Sequence, residues 1–138
     1  MVMEHDSILI VDDSLADIIL TEKVIKRSRP GVAIKRATNA VEVFEHLKDG
    51  NLPALIFLEY KMPGRDGIDV LKNIRNNTET RHLPVVMLTS SNDDRDKKNS
   101  FDAGANSYLH KTHNLDVFMH EIQVVLDYWF CPLGDKAS

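Results

Sequence analysis

The sequence predicts an α/β fold: a doubly wound parallel sheet of five strands with helices on both faces. Three observations predict it. Short apolar runs alternate with helix-period segments along the whole chain. Three of the runs are apolar almost throughout, as strands buried on both faces of a parallel sheet are. Right-handed crossovers between parallel strands then distribute the helices over both faces.

The elements follow in order. The first run, Ile8–Val11, leads into a helix opened by Ser14-x-x-Asp17, a capping-box-like pattern. Leu15, Ile18, Ile19 and Ile25 fall on one side of it, and it stops before Pro30-Gly31. The second run, Val32–Arg36, precedes a helix with Asn39-x-x-Glu42 at its start, Val43, Phe44 and Leu47 inside, and Gly50 past its end. The third run is Ala54–Leu58. Its helix begins after Asp66-Gly67 and uses Ile68, Leu71 and Ile74. The fourth run, Val85–Leu88, precedes a weakly amphipathic helix from about Asp93 to Ala103, ended by Gly104. The fifth, Asn106–Leu109, is followed by a helix from Asn114 to about Trp129. That helix carries Leu115, Phe118, Ile122, Val125 and Trp129 at helical spacing.

The 138 residues suit one domain, expected over residues 1–131, with Pro132–Ser138 a disordered tail. A net charge of −4 supplies no dominant basic face and speaks against nucleic acid as a partner. The single cysteine, Cys131, excludes an internal disulfide framework and fits a reducing compartment. The N-terminus lacks the pattern of a signal peptide. No apolar run reaches the roughly 18 residues of a membrane span. A cytoplasmic protein without a membrane partner is expected.

In doubly wound sheets the working site lies at the carboxyl ends of the strands. Those ends carry Asp12-Asp13, Glu59, Thr89-Ser90 and Lys111, the first three directly after an apolar run and Lys111 one residue beyond its run. Adjacent carboxylates raise each other's pKa values unless a cation intervenes. Taken alone, Asp13-Ser14 also reads as a helix cap, and Glu59 as a solvated residue. Three carboxylates at one sheet edge are better explained by a hard divalent cation such as Mg²⁺, which takes oxygen ligands.

The pieces VDDS, MPGRDG (Met62 to Gly67), MLTSS and the Lys111 after YLH keep one order and spacing over nearly the whole chain. In this they resemble the receiver domain of two-component response regulators, a flavodoxin-like (βα)5 fold. The last helix and tail are similar to those of stand-alone regulators that serve bacterial phytochrome kinases. The resemblance implies that Asp13 ligates Mg²⁺ directly and Asp12 largely through water. The backbone carbonyl of Lys61 joins the set, and Glu59 completes its charge. Thr89 would bond a phosphoryl oxygen, and Lys111 would pair with the acceptor or its phosphoryl group. Tyr108 would be the aromatic that moves inward when the pocket fills. The implied partners are a sensor histidine kinase and a downstream protein, met through the surface around Tyr108 and the last two helices. The implied protein is a signalling protein, not an enzyme.

Two positions depart from the family pattern. The family's phosphoryl acceptor is an aspartate where this chain has Glu59. The added methylene carries the carboxylate roughly 1–1.5 Å further, and a 1 Å misplacement costs on the order of 10²-fold in rate. Four readings stand open: a carboxylate that partly imitates the phosphorylated acceptor, an inert one in a phosphorylation-independent interaction module, a substitution engineered into an ordinary regulator, and a phosphorylated Glu59. Thr112 stands where the family has proline, often cis, so a trans or a strained cis bond is expected there. Ser90 fits the family's small residue, and the Lys61 side chain reads as solvated.

Other chemistries lack their evidence. His5, His46, His82, His110, His113 and His120 form no zinc-ligand pattern. No phosphate-binding or dinucleotide-binding glycine motif is present. DDSLAD has the wrong charge for a flavin phosphate loop. At the end of the last helix, Trp129 is expected to finish the core stripe. Tyr128 and Phe130 are expected to leave apolar surface exposed and to form a homodimer interface.

Overall fold

The computed structural model describes residues 7–48, 50–64, 66–90 and 93–130. Five strands and five helices alternate along them: β1 (Ser7–Val11), α1 (Leu15–Ser28), β2 (Ala33–Ala37), α2 (Ala40–Lys48), β3 (Leu55–Glu59), α3 (Gly67–Asn76), β4 (Val85–Thr89), α4 (Asp94–Asp102), β5 (Ser107–His110) and α5 (Leu115–Trp129). The strands form one parallel sheet in the order β2-β1-β3-β4-β5. This is the doubly wound, flavodoxin-like arrangement, with its switch point between β1 and β3.

Alternation along each strand builds two cores. Ile8, Ile10, Leu55, Phe57, Val86 and Leu88 face α1 and α5. Leu9, Val11, Ile56, Leu58, Val85 and Met87 face the layer of α2 and α3. The three central strands are buried almost throughout, whereas the edge strand β2 is only partly buried and exposes Ala33 and Arg36. No helix among the described residues is long and apolar enough to cross a membrane.

The helix starts are chemically specified. The Ser14 Oγ accepts from Asp17 N–H at 3.3 Å, and the Asn39 Oδ1 accepts from Glu42 N–H at 2.9 Å. Asp93 and Asn114 cap α4 and α5 in the same way. Neither of the starts at Ser14 and Asn39 closes as a full capping box. Glu42 reaches back to Thr38 rather than to Asn39, and Asp17 turns away from its cap altogether.

Several expectations need correction. Each of the last four strands runs one residue further than its apolar run, so Glu59 and Thr89 belong to the ladder itself. Leu15 and Ile19 are exposed, because the buried face of α1 is Ile18, Thr21, Val24 and Ile25. Leu115 is 48% exposed, and Phe118, Ile122, Val125 and Leu126 are the buried residues of the α5 core stripe. Phe130 is 6% exposed, not a surface residue: it closes the α1–α5 core beneath the Arg29 guanidinium, which lies 5.8 Å from its ring centre. Tyr128, at 72% exposure, is on the surface as expected, and Trp129 packs against the core with Tyr128 edge-on to it. Cys131 and the tail Pro132–Ser138 lie outside the described residues.

Candidate functional site

The site forms where β1, β3, β4 and β5 end together. Asp12 follows β1, and its N–H donates to the Ala37 carbonyl at 3.0 Å. That bond fixes its backbone, so its side chain turns into the sheet end and is nearly fully buried. Asp12 Oδ1 accepts from Ser14 N–H at 3.0 Å. Glu59 ends β3 opposite Leu88. Its neighbour Tyr60 donates one N–H both to the Leu88 carbonyl at 2.9 Å and to Glu59 Oε2 at 2.6 Å. The Lys111 N–H donates to the Thr89 carbonyl at 2.7 Å, which aims the lysine along the strand ends.

The Lys111 ammonium then reaches three carboxylates. It donates to Asp12 Oδ2 at 2.5 Å, to Glu59 Oε1 at 2.6 Å and to Asp17 Oδ2 at 3.1 Å. Burial alone would lower the Lys111 pKa. The hydrogen bonds to Asp12 and Glu59 outweigh it and hold the ammonium above its usual range. Burial pushes the Asp12 and Glu59 carboxyls up, and the bonds from Lys111 only partly offset this.

Asp12 and Glu59 are buried at this edge and share Lys111, and Asp13, next to Asp12 in the chain, is exposed. Among the described residues no three His, Cys, Asp or Glu side chains are grouped to hold a metal ion. The donor chemistry nevertheless suits a hard cation. Two buried carboxylates with raised pKa values face one point, and the Lys111 ammonium stands there as their counterion.

The remaining predicted residues cluster around this centre. Thr89 is buried at the end of β4. Tyr108 lies on β5 beside it, packs against the α2–α3 core, and has its hydroxyl oxygen buried. Burial first, and then the negative charge of Asp96, raises the Tyr108 pKa. The Lys61 side chain is exposed, as expected, and so is Ser90. No peptide bond among the described residues is cis, so Lys111–Thr112 is trans. An open groove of about 510 Å³ runs from Lys111 between α1 and the start of α5, lined among others by Asp17, Leu20, Leu115 and Phe118.

Two residues of the site were not singled out from sequence. By sequence Asp17 is only the partner of Ser14 in a capping-box-like pattern, whereas its carboxylate meets Lys111 at 3.1 Å. Gly67 was read only as a turn. A Cβ there would stand 2.1 Å from the Glu59 carbonyl oxygen, so only glycine lets α3 start against the end of β3.

This geometry has known counterparts. Residues 8–123 match the model of the response regulator receiver domain. The response regulator Rcp1 of Synechocystis is 32% identical over 131 residues, covering 88% of this chain and 87% of that protein. The Mn²⁺-bound form of Rcp1 superposes with a TM-score of 0.80 at 30% identity, covering 90% of this chain and 94% of that one. The phosphorylated cyanobacterial phytochrome response regulator RcpA superposes with a TM-score of 0.83 at 26% identity, covering 91% and 94%. The chain therefore belongs to the response regulator receiver domain family, signalling modules of the two-component kind and not enzymes.

Proposed function

We propose that this chain is a stand-alone receiver in two-component phosphorelay signalling, with an Mg²⁺-binding acidic pocket and with Glu59 in the phosphoacceptor's place. The observation that carries this reading is the Glu59 carboxylate, engaged at both oxygens by Lys111 and by the Tyr60 N–H. The added methylene carries the attacking oxygen away from the place an aspartate would give it for in-line attack on phosphorus. The same contact gives Lys111 an anionic partner further out than an aspartate would. Glu59 thus acts as a built-in, partial substitute for a phosphorylated acceptor. It is partial in charge, −1 against about −1.5 to −2. The buried Tyr108 hydroxyl supports the reading, because the inward position is the one expected of a filled pocket.

Asp12, Asp13 and the Lys61 carbonyl would hold Mg²⁺, and the metal would supply charge neutralisation at the strand ends. Thr89 and Lys111 would orient whatever anion lies beside it. Similarity to Rcp1 and RcpA supports a sensor histidine kinase of the phytochrome type as upstream partner, and with it a cytoplasmic location. A downstream protein would read the surface around Tyr108, α4 and α5. The working unit is residues 1–131, with 132–138 as a tail. A second copy would dock on α5, where Val117, Val124 and Tyr128 are exposed on one face. Phe130 has no part in that face.

The test is NMR of the chain with labelled tyrosine rings. Glu59→Gln should shift the Tyr108 ring signals towards solvent-exposed values while leaving Tyr128 unchanged. Unchanged Tyr108 signals would contradict the coupling of Glu59 to Tyr108. A phosphorylation-independent module remains the second reading, favoured by the same saturated carboxylate.

A further inference from the structure

An ammonium has three N–H donors, and those of Lys111 each meet a different carboxylate. The three partners are not equivalent. The Asp12 and Glu59 side chains are 3% and 9% exposed and are rooted at strand ends. The Asp17 side chain is 44% exposed, is rooted in the first turn of α1, and makes the longest of the contacts at 3.1 Å. In the proposed divalent site Asp12 also faces the cation, and it is buried. A divalent cation and an ammonium on the same carboxylate repel strongly at contact range in a weakly solvated site. The ammonium must give way, and the donor it frees needs an acceptor. Asp17 already holds the ammonium from the solvent side, away from the strand ends.

We propose that Asp17 is the positioning residue for Lys111: it receives the ammonium when a divalent cation takes Asp12, and so governs how readily that cation enters. This rests on the reading of Asp12 and Asp13 as a divalent site. It assigns Asp17 a role beyond helix capping, and its own geometry agrees. Its N–H uses the Ser14 cap, whereas its carboxylate leaves the cap for Lys111. A first-turn acidic residue also favours the helix dipole. That effect alone would change stability and the local field, but would not depend on Lys111.

A double-mutant cycle separates the two roles. Mg²⁺ is titrated by calorimetry into the full chain, Asp17→Asn, Lys111→Met and the double variant, with folding checked by circular dichroism. In the native background Asp17→Asn should weaken Mg²⁺ binding by about threefold, the size a half-exposed ion pair supports. In the Lys111→Met background it should change binding by less than about 1.5-fold. Asp17→Glu should restore most of the native affinity. Equal weakening in both backgrounds, or none in the native one, would overturn the proposal while leaving the divalent site intact. Absence of Mg²⁺ binding by the native chain would overturn both. Should Lys111→Met not fold, NMR of the Lys111 ammonium decides. Its signal should stay protected from exchange at saturating Mg²⁺ in the native chain and vanish in Asp17→Asn; persistence in Asp17→Asn overturns the proposal.

Discussion

One ammonium at the strand ends faces three carboxylates, two of them buried. Removing the base and removing one acid should therefore have unequal effects. Lys111→Met leaves Asp12 and Glu59 buried without a counterion and should cost about 3–5 kcal/mol. Glu59→Gln keeps the Asp12–Lys111 pair and removes a carboxylate whose ionisation burial already disfavours, so its stability should stay within about 1 kcal/mol of native. Urea denaturation in chelator-treated buffer measures both, and equal losses would contradict this ranking of the contacts. At this scale the site was largely legible. Asp12, Glu59, Thr89 and Lys111 stand out because each is polar at the end of an apolar run. The part of Asp17 was not legible, because spacing places a carboxylate near an edge but does not say which way its side chain turns; it turns to Lys111.

Among the elements, the junction from β3 to α3 carries the tightest constraint. The Gly67 N–H donates to the Tyr60 carbonyl at 2.7 Å, which draws α3 up against the end of β3. Gly67→Ala would drive a methyl into the Glu59 carbonyl, and neither backbone can yield cheaply. The expected loss is about 1–3 kcal/mol, together with weaker Lys111–Glu59 pairing. Gly64→Ala is the comparison. It has open space but a φ of 80°, so it should show strain without disturbing Glu59. Thermal melts with NMR of the Lys111 ammonium distinguish them, and equal effects on Lys111 would contradict the account. Element types were legible throughout, since periodicity and caps record them directly. The strand ends were not, because Ala37, Glu59, Thr89 and His110 continue the ladder by backbone bonds after the central apolar pattern has stopped. The faces of α1 and α5 were misjudged at Leu15, Ile19 and Leu115. Leu15 and Leu115 are the first residues of their helices, and Ile19 falls beside the buried face set by Ile18, Thr21, Val24 and Ile25.

For the whole molecule, the alternation of runs and helices implied a parallel sheet, but the order β2-β1-β3-β4-β5 was not written in any single run. Two-sided burial gives only that β1, β3 and β4 occupy the middle and β2 and β5 the edges; the order itself is set by the strand pairings. The exposed Val117–Val124–Tyr128 face of α5 belongs to this scale as well. Light scattering should show association that rises with concentration and is abolished by Val124→Glu; a clean monomer at high concentration would remove the second-copy interface. The central claim is that Glu59 occupies the acceptor's place in an otherwise intact receiver. Intact mass after incubation with acetyl phosphate and Mg²⁺ tests it most directly. The native chain should gain no phosphoryl group and Glu59→Asp should gain one, whereas a gain by the native chain that Glu59→Gln abolishes would contradict the account.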